Sequence, residues 1–283
     1  MKLVRFGEAG HERPGVIDSE GILRDLSASV PDIGGTALSR QSLSQLARVA
    51  SSGTLPVVRG PVRLGQCVSA VGKVVCVGLN YHGHIKEVGA AVPAEPVLFM
   101  KSPTSLCGPN DDVRVPPGAV AMDWEVELGV VIGARATRVT LADALSHVAG
   151  YCIVNDLSER DWQLKGTGQW VKGKSADTFG PLGPWLVTTD EIPDPQALSL
   201  QLSLNGEVQQ RGVTEDMVFS VAQIVSYVSR FMTLAPGDVI STGTPSGVGM
   251  GKKPPRYLRA GDVMDLSIDR LGTQRQRVID TPG

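Results

Sequence analysis

The sequence DWEVELGVVIG, residues 123–133, carries two acidic side chains into an uninterrupted apolar run. On a β-strand, side chains two positions apart point to the same face, so Glu125 and Glu127 project together and the valine between them faces the apolar side. Two adjacent carboxylates repel each other unless a cation or a shared proton compensates their charge. The stretch therefore predicts either a solvated strand face, which is common for charged residues, or a cation site on a buried strand.

A third carboxylate favours the cation site. The strand-like run YCIVND ends at Asp156, and the polar sequence SERDWQ follows it. Three protein carboxylates with room for water suit a hard cation, so the expected cofactor is Mg²⁺, with Mn²⁺ as the alternative. No histidine or cysteine lies close enough in sequence to indicate zinc. The four cysteines are widely spaced without a CxxC pair, which is typical of structural residues.

A histidine–glutamate pair follows the apolar run VVCVGLN, residues 74–80. The next segment, YHGHIKEVG, is expected to form a short helix that ends at Gly89. His84 and Glu87 are three residues apart, so they share a helix face and can form a hydrogen bond. A carboxylate beside an imidazole orients the ring and raises its basicity, as activation of water requires. The alternative is an exposed helical ion pair with a small effect on stability.

Two further loops contain groups that can bind an anion. Lys174, in the sequence KGKS, is either solvated or placed to neutralise a substrate oxygen beside the metal. The run STGTPSGVG, residues 241–249, is rich in glycine and hydroxyl groups, so its backbone N–H groups could bind a carboxylate, and a tight turn explains it equally well. It matches neither GxxxxGK[ST] nor GxGxxG, so a nucleotide site has little support.

The remaining sequence indicates a β-rich α+β fold. Short apolar runs at 96–101, 198–206 and 238–243 are bounded by glycine, proline and aspartate and predict strands, of which 198–206 alternates so that one face is buried. Ser220 and Gln223 form a capping-box pattern at the start of a helix that Pro236-Gly237 ends.

Residues 1–67 are predicted to form a small N-terminal α/β domain, and residues 68–283 a larger domain with the candidate site. The small domain opens with a strand, LVRF, and a turn at Pro14-Gly15. A hairpin around Glu20-Gly21 and a helix over 39–50 follow.

Composition restricts the class of protein. The 283 residues are 42% hydrophobic and 20% charged, as in an ordinary globular protein. A net charge of −2 gives no electrostatic reason to expect nucleic acid or an anionic membrane as a partner. No apolar stretch reaches the ~20 residues of a membrane-spanning helix, and the N-terminus lacks the apolar core of a secretory signal. We therefore expect a cytoplasmic protein with a small-molecule substrate.

Seven stretches, in this order, resemble the fumarylacetoacetate hydrolase family: VGLNYHGHIKE, EPVLFMKSPTS, DWEVELGVVIG, GYCIVNDLSERDWQ, KGKSADTFGP, FSVAQIVSYVS and PGDVISTGTPSGVG. The resemblance runs from about Lys73 to Val278, and the N-terminal part resembles the family's variable small domain. It implies the family's C-terminal-type mixed β-fold, which usually dimerises, so a homodimer is expected.

The resemblance also implies roles for individual residues. The metal ligands would be Glu125, Glu127 and Asp156; the water-activating dyad would be His84 and Glu87, on a segment (81–93) that often closes as a lid; the active-site lysine would be Lys174; and the substrate-binding residues would be Tyr81, Arg160, Gln163 and Thr244. Leu79 departs from the arginine that some acylpyruvate hydrolases and oxaloacetate decarboxylases of the family have in this stretch.

The activity implied is metal-dependent hydrolysis of the C3–C4 bond of a 2,4-diketo acid. The branch that this sequence most resembles acts on 2,4-diketo-3-deoxyrhamnonate or its fuconate epimer and releases pyruvate and lactate. Three alternatives stay open: decarboxylation of oxaloacetate, isomerisation or hydration of an unsaturated 2-oxo acid in aromatic catabolism, and a metal-stabilised binding module without activity.

Overall fold

The computed structural model describes residues 1–281 and has the β-rich α+β fold that the sequence predicts. The strands are β1 (Lys2–Phe6), β2 (Arg13–Ile17), β3 (Leu23–Asp25), β4 (Val74–Gly78), β5 (Val97–Lys101), β6 (Leu106–Cys107), β7 (Val113–Val115), β8 (Met122–Asp123), β9 (Val126–Ile132), β10 (Val148–Asn155), β11 (Ser158–Glu159), β12 (Gly180–Thr188), β13 (Ser199–Leu204), β14 (Glu207–Val213), β15 (Val239–Ser241), β16 (Val263–Ile268) and β17 (Gly272–Asp280). The α-helices are α1 (Arg40–Ser51), α2 (His82–Glu87), α3 (Arg160–Leu164), α4 (Val171–Lys174) and α5 (Val221–Phe231).

Two large mixed sheets contain most of the strands. Nine strands of the ten-stranded sheet follow the order β3-β2-β1-β12-β10-β9-β15-β4-β5, and β6 pairs with β12 beside this path. The five-stranded sheet has the order β14-β13-β16-β17-β7, and β8 and β11 form a separate ladder. Most pairs are antiparallel, whereas β15 and β4 run parallel. The candidate site lies around β4, β9, β10 and β15, which are neighbours in the larger sheet.

Strand β9 is buried on both faces, which explains why its sequence is apolar apart from Glu127. One face places Val126 and Leu128 in a cluster with Leu202 of β13 and Leu266 of β16. The other face places Val131 in a second cluster, which includes side chains from the N-terminal strands. Because β9 is fixed by packing on both sides, the carboxylates beside it are held in a defined position.

The N-terminal residues join the larger sheet through β1, which pairs with β12. The predicted hairpin is confirmed, since β2 and β3 pair antiparallel on either side of Glu20-Gly21. The predicted helix is confirmed as α1, where the Ser39 hydroxyl accepts a hydrogen bond from the backbone N–H of Ser42. The domain boundary at residue 67 stays a prediction.

The predicted turn at Pro14-Gly15 is wrong, because both residues lie inside β2. The chain reverses earlier, between the end of β1 at Phe6 and the start of β2 at Arg13. A side chain at position 15 would meet the Leu23 side chain at 2.8 Å and the Phe6 ring at 3.0 Å. Gly15 therefore permits close packing between neighbouring strands, a role that the dipeptide alone does not distinguish from a turn.

Two other local predictions are confirmed. Ser220 and Gln223 form the capping box at the start of α5, with both reciprocal hydrogen bonds present. Strand β13 alternates between buried and partly exposed side chains, as expected of a strand with one wet face. Among residues 1–281, no helix combines the length and the apolar character needed to cross a membrane.

Candidate active site

The three predicted metal ligands converge. Glu127 lies in β9, Glu125 immediately precedes that strand, and Asp156 immediately follows β10. The two strands are antiparallel neighbours, and the backbone N–H of Asp156 donates to the Glu125 carbonyl at 2.9 Å. One carboxylate oxygen from each residue lies within 4.8 Å of the others. The register of β9 and β10 therefore assembles the acidic cluster.

These carboxylates do not form a solvated strand face. Glu125 is 5% exposed, Glu127 is 2% exposed and Asp156 is completely buried. Charged groups are rarely buried to this extent unless they are paired or bind a cation. The structure therefore excludes the solvated alternative for this pair of glutamates.

Three basic side chains surround the acidic cluster. Lys174 Nζ bridges Glu125 Oε2 at 2.7 Å and Asp156 Oδ2 at 2.9 Å. Arg160 Nη2 donates to Glu125 Oε1 at 2.7 Å. Lys101 Nζ donates to Asp156 Oδ1 at 2.6 Å. Glu125 and Asp156 therefore each have both oxygens engaged by a basic group.

Glu127 differs from its two neighbours in this respect. Its Oε2 accepts hydrogen bonds from the Ser241 hydroxyl at 2.6 Å and from the Gly243 backbone N–H at 2.8 Å. Within the described part of the chain, no lysine or arginine forms an ion pair with Glu127. Glu127 therefore has hydrogen-bond donors but no ion-pair partner among the described residues.

The pKa values follow from this arrangement. Burial acts to raise the pKa of Glu125, but Lys174 and Arg160 outweigh burial and hold that pKa well below its ordinary value. Burial, together with the carboxylates of Asp156 and Glu125, raises the pKa of Glu127 well above its ordinary value. Burial acts to lower the pKa of Lys174, but the surrounding carboxylates outweigh it and raise that pKa. The ammonium form of Lys174 is therefore the stable form.

The donor set fits a hard divalent cation. All three converging groups are carboxylates, which are the ligands that Mg²⁺ and Mn²⁺ prefer. A divalent cation at this point would also provide a directly paired positive charge for Glu127, and it would relieve the repulsion that, after burial, raises the pKa of Glu127. Glu125, Glu127 and Asp156 are thus the residues that could hold such a cation.

The His84–Glu87 dyad is formed as the spacing predicts. His84 Nδ1 and Glu87 Oε2 are 3.0 Å apart on α2, and His84 is only 8% exposed. The exposed ion pair considered for this sequence is therefore excluded. The other oxygen, Glu87 Oε1, accepts a hydrogen bond from the Gly247 backbone N–H at 2.9 Å. Because Nδ1 is engaged by the glutamate, Nε2 is the ring nitrogen available to accept a proton.

Arg160 and Gln163, both on α3, are buried beside the acidic cluster. Arg160 Nη1 donates to Gln163 Oε1 at 2.9 Å, and Arg160 Nε donates to Asp123 Oδ2 at 2.9 Å. Thr244 Oγ1 donates to the Val126 carbonyl at 2.9 Å and accepts from Gln210 Nε2 at 2.8 Å. Arg160 is therefore fixed on several sides, and the Thr244 hydroxyl is already engaged by the protein.

One cavity of about 230 Å³ unites most of these side chains. Its polar lining consists of His84, Glu125, Glu127, Arg160, Gln163, Lys174 and Thr244. Its apolar lining includes Val77, Leu79, Val88, Phe99, Leu164 and Trp170. The cavity is smaller than the ~300–1,000 Å³ typical of drug-sized ligands, so it suits a small molecule.

Tyr81 does not line this cavity. It is completely buried in the hydrophobic core, and its hydroxyl has no hydrogen-bond partner among the described residues. Burial, followed by the charge of Glu127, raises its pKa well above the ordinary value. The structure therefore places the Tyr81 side chain in the core and not in the cavity lining, and its substrate-binding role stays a prediction.

The glycine- and hydroxyl-rich loop does bind carboxylates, but they belong to the protein. Its backbone N–H groups donate to Glu127 from Gly243, to Glu87 from Gly247 and to Asp123 from Gly249 at 2.6 Å. The loop therefore connects the acidic cluster, the dyad and Asp123, the carboxylate that pairs with Arg160. The sequence therefore indicated that the backbone N–H groups of this loop could bind a carboxylate. It did not indicate that the carboxylates are those of Glu127, Glu87 and Asp123.

Three polar residues of the site were not identified from the sequence. Lys101 and Asp123 are buried and pair with Asp156 and Arg160 respectively, and Ser241 donates to Glu127. Lys101 lies in the apolar run of β5, where one lysine at a strand end is ordinarily solvated. Asp123 lies next to the predicted acidic pair, and that proximity was the available signal.

Comparisons with known proteins agree with this fold. Residues 73–279 match the family model described as fumarylacetoacetate (FAA) hydrolase C-terminal. The chain is 57% identical, over 281 residues and 99% of both chains, to a Burkholderia cenocepacia (strain HI2424) protein whose name assigns it only to the hydrolases.

Three solved structures cover the whole fold. Fumarylacetoacetate hydrolase from Exiguobacterium antarcticum is 38% identical with a TM-score of 0.86, over 99% of this chain and 100% of that chain. 2-Hydroxyhepta-2,4-diene-1,7-dioate isomerase from Mycobacterium marinum is 34% identical with a TM-score of 0.76, over 100% of both chains. Maleylpyruvate hydrolase from Sphingobium sp. SYK-6, in complex with manganese(II) and pyruvate, is 28% identical with a TM-score of 0.82, over 100% of both chains.

Proposed function

The chain belongs to the fumarylacetoacetate hydrolase family, and on that premise we propose that it hydrolyses the C3–C4 bond of a 2,4-diketo acid in a divalent-metal-dependent reaction. One observation carries the proposal. The acidic cluster of Glu125, Glu127 and Asp156 lies in the same buried site as the His84–Glu87 dyad. A cation site beside a base that can activate water is the combination that hydrolysis of a carbon–carbon bond requires.

The proposed reaction begins with the dyad. Glu87 fixes the imidazole through Nδ1, so His84 Nε2 accepts a proton from water as the oxygen attacks the C4 carbonyl of the substrate. The C3–C4 bond then breaks, and its electron pair moves to C3 to give the enolate of pyruvate. Transfer of a proton to C3 completes pyruvate, and the oxygen of water remains in the second product, a carboxylic acid.

Lys174 and Arg160 provide the positive charge on the protein side of the site. Both are buried and ion-paired with Glu125, so their positions are set before substrate arrives. We assign Lys174 the role of stabilising the enolate oxygen, and we assign Arg160, Gln163 and Thr244 to binding the substrate. A divalent cation held by the acidic cluster supplies Lewis-acid polarisation of the 2-oxo acid group.

The finer proposal concerns the substituent on C4. We propose 2,4-diketo-3-deoxyrhamnonate or its fuconate epimer as the substrate, with pyruvate and lactate as products. The resemblance supports this choice, and so does the limited size of the cavity, because the substituent is only a hydroxyethyl group. The pyruvate bound in the manganese-containing maleylpyruvate hydrolase structure supports pyruvate as a product and a divalent metal as the cofactor.

A substrate panel tests this proposal. The Mg²⁺- or Mn²⁺-loaded protein is incubated with several 2,4-diketo acids, including the two sugar acids, and with oxaloacetate, and pyruvate and the second product are quantified. We expect equal amounts of pyruvate and a second acid from the diketo acids. Release of CO₂ from oxaloacetate, with every diketo acid intact, would instead identify a decarboxylase.

A second candidate function has a specific observation in its favour. The Mycobacterium marinum relative, which matches this chain over its whole length, is named a 2-hydroxyhepta-2,4-diene-1,7-dioate isomerase. In that case His84 would move the proton of the 2-hydroxyl group to C5 of the diene, which gives the 2-oxo-3-ene isomer, and no water would be consumed. A change in ultraviolet absorbance of 2-hydroxyhepta-2,4-diene-1,7-dioate, without release of pyruvate, would favour isomerisation.

We also propose that the protein is a homodimer, as the resemblance implies. Light scattering coupled to size exclusion should then give a mass near twice the 29.9 kDa of the chain. A mass of one chain at micromolar concentration would contradict this proposal.

A further inference from the structure

Three apolar side chains form one wall of the cavity. We call Leu79, Phe99 and Trp170 the apolar wall, and all three line the cavity that Glu125 and Glu127 also line. The rings of Phe99 and Trp170 contact edge to face, with centroids 5.2 Å apart and an interplanar angle of 61°. The proposed mechanism uses none of these side chains.

Close packing against strand β4 fixes the position of Trp170 in the apolar wall. Gly78 lies directly beneath Trp170, since a Cβ at that position would be 2.6 Å from Trp170 Cζ3. Only a glycine therefore lets the indole approach the backbone of β4 this closely.

Leu79 adopts a backbone φ of 53°, a left-handed conformation that is unusual for a residue with a branched side chain. The next residue, Asn80, is completely buried, and its amide donates to the Thr242 carbonyl at 2.8 Å and accepts from the Phe219 N–H at 2.9 Å. These bonds hold the chain in the strained conformation that brings Leu79 to the cavity.

The apolar wall adjoins the groups that act on the substrate. Lys174 Nζ lies 5.0 Å from the centroid of the Phe99 ring, and the same nitrogen binds Glu125 and Asp156. A substrate whose 2-oxo acid end lies at Lys174 therefore places the rest of its carbon chain within reach of the wall. In a cavity of about 230 Å³, a short chain has little space to turn away from it.

We propose that the apolar wall is the subsite for the terminal carbon of the C4 substituent, and that it selects a methyl end over a hydroxymethyl end. This inference rests on the proposed function and narrows its substrate class to diketo acids with a deoxygenated terminus. Leucine and phenylalanine offer no hydrogen-bonding group and indole offers only a donor, so a hydroxyl in this subsite loses its water without regaining equivalent partners. The expected preference in kcat/KM is about 10- to 100-fold.

A matched pair of substrates measures this preference. 2,4-Dioxohexanoate and 6-hydroxy-2,4-dioxohexanoate differ only in the terminal hydroxyl, and their kcat/KM values are compared on the metal-loaded protein. We expect the methyl-ended acid to be preferred. Equal kcat/KM values for the two acids would overturn the proposal and leave the proposed function intact.

Leu79→Asn tests whether the wall causes the preference. Asparagine has the same number of side-chain heavy atoms as leucine, with the same branch at Cγ, and adopts positive φ more readily, so the substitution should not disturb folding. We expect the variant to lose most of the preference because the hydroxymethyl-ended acid gains. Leu141→Asn, at a leucine that is 55% exposed, is the matched control and should keep the preference. An equal loss of activity of Leu79→Asn on both acids would overturn the proposal.

A binding measurement separates failure of the subsite from failure of the proposed function. 2-Oxohexanoate and 6-hydroxy-2-oxohexanoate lack the C4 carbonyl and cannot be cleaved, so calorimetric titration of the Mn²⁺-loaded protein reports recognition alone. Tighter binding of 2-oxohexanoate supports the subsite even when no diketo acid is hydrolysed. Equal binding, or no binding, of the two acids contradicts it.

Discussion

The acidic cluster, through Glu125 and Glu127, and the dyad, through His84, line the same cavity, yet the fold holds the cluster and the dyad in different ways. Glu125, Glu127 and Asp156 sit on neighbouring strands that are buried on both sides, and basic groups surround two of them. The dyad sits on a six-residue helix that is too short to be stable alone. Its Glu87 depends on one backbone N–H of the loop after β15.

This difference predicts two kinds of defect. A change in the acidic cluster alters a buried network of charges, so it should affect metal binding or the free energy of unfolding. A change in the dyad removes groups that form no hydrogen bond with the acidic cluster, so it should affect the reaction alone. Each of the following predictions tests that division.

Substitution of Glu127 should have the largest effect. Glu127→Gln keeps the shape of the side chain but removes the charge that a divalent cation compensates, so both metal binding and activity should be lost. Loss of a Lewis acid worth several kcal/mol corresponds to a decrease in kcat/KM of about 10⁴-fold. The repulsion from Asp156 and Glu125 also disappears, so the metal-free variant should unfold at the same temperature as the wild type or higher.

Glu159→Gln is the matched control for this prediction. Glu159 is also completely buried, but its Oε2 accepts a hydrogen bond from the Ala121 N–H, and it is not part of the acidic cluster. Calorimetric titration with Mn²⁺ should detect wild-type affinity in this control and none in Glu127→Gln. Retention of Mn²⁺ affinity in Glu127→Gln would remove Glu127 from the metal site.

Substitution of His84 should have the next largest effect, and only on activity. His84→Ala removes the group that accepts the proton from water, so kcat should fall by about 10³-fold, within the range for a general base. Mn²⁺ affinity and the melting temperature should stay at the wild-type values, because His84 contacts none of the three carboxylates by a hydrogen bond. Unchanged turnover would remove the dyad from the mechanism.

The sequence predicted these two parts of the site because both depend on local spacing. Glu125 and Glu127 are two residues apart in extended chain at the start of β9, and His84 and Glu87 are three residues apart on a helix, so each pair shares a face whatever the rest of the fold does. Several strands, among them β5, β13 and β15, were likewise predicted from local patterns, as were α1 and the capping box of α5.

The parts that the sequence did not predict depend on contacts between distant segments. Lys101 is 55 positions from Asp156 in the sequence, and the Gly247 N–H is 160 positions from Glu87. Nothing in the residues around Lys101 distinguishes it from a solvated lysine at a strand end. The turn predicted at Pro14-Gly15 was wrong for the same reason. Gly15 is required because the Phe6 and Leu23 side chains of the two neighbouring strands pack against it, and the dipeptide alone does not reveal those contacts.

Lys101 therefore offers a test of the acidic cluster that the sequence alone would not suggest. Lys101→Met removes a buried ammonium that is 2.6 Å from Asp156 Oδ1, and it leaves a buried carboxylate with one basic partner instead of two. The free energy of unfolding should fall by about 3 kcal/mol, as for other broken buried ion pairs. Denaturant unfolding of the metal-free protein measures this decrease.

Metal supplies the control for Lys101→Met. A divalent cation restores positive charge beside Asp156, so saturating Mn²⁺ should recover part of the lost stability in this variant. His84→Ala, measured in parallel, should lose no stability with or without Mn²⁺. A loss in Lys101→Met that Mn²⁺ leaves unchanged would mean that packing, not charge, causes it.

The smallest effect should come from a methyl group placed behind the dyad. A Cβ at Gly251 would be 2.5 Å from Glu87 Cδ and 2.6 Å from Glu87 Oε1, and the flexible glutamate side chain can move away without disturbing the backbone. Gly251→Ala should therefore weaken the His84–Glu87 hydrogen bond and lower kcat by about tenfold, which corresponds to 1.4 kcal/mol. Mn²⁺ affinity and the melting temperature should not change.

A double-mutant cycle shows whether this effect passes through Glu87. In a Glu87→Ala background the added methyl group has no carboxylate to displace, so Gly251→Ala should then change kcat by less than about twofold. An equal tenfold decrease in both backgrounds would mean that Gly251 acts on the loop rather than on the dyad. The position of the dyad would then depend on the whole loop after β15. Because that loop also donates hydrogen bonds to Glu127 and Asp123, the dyad and the acidic cluster would not be held independently of each other.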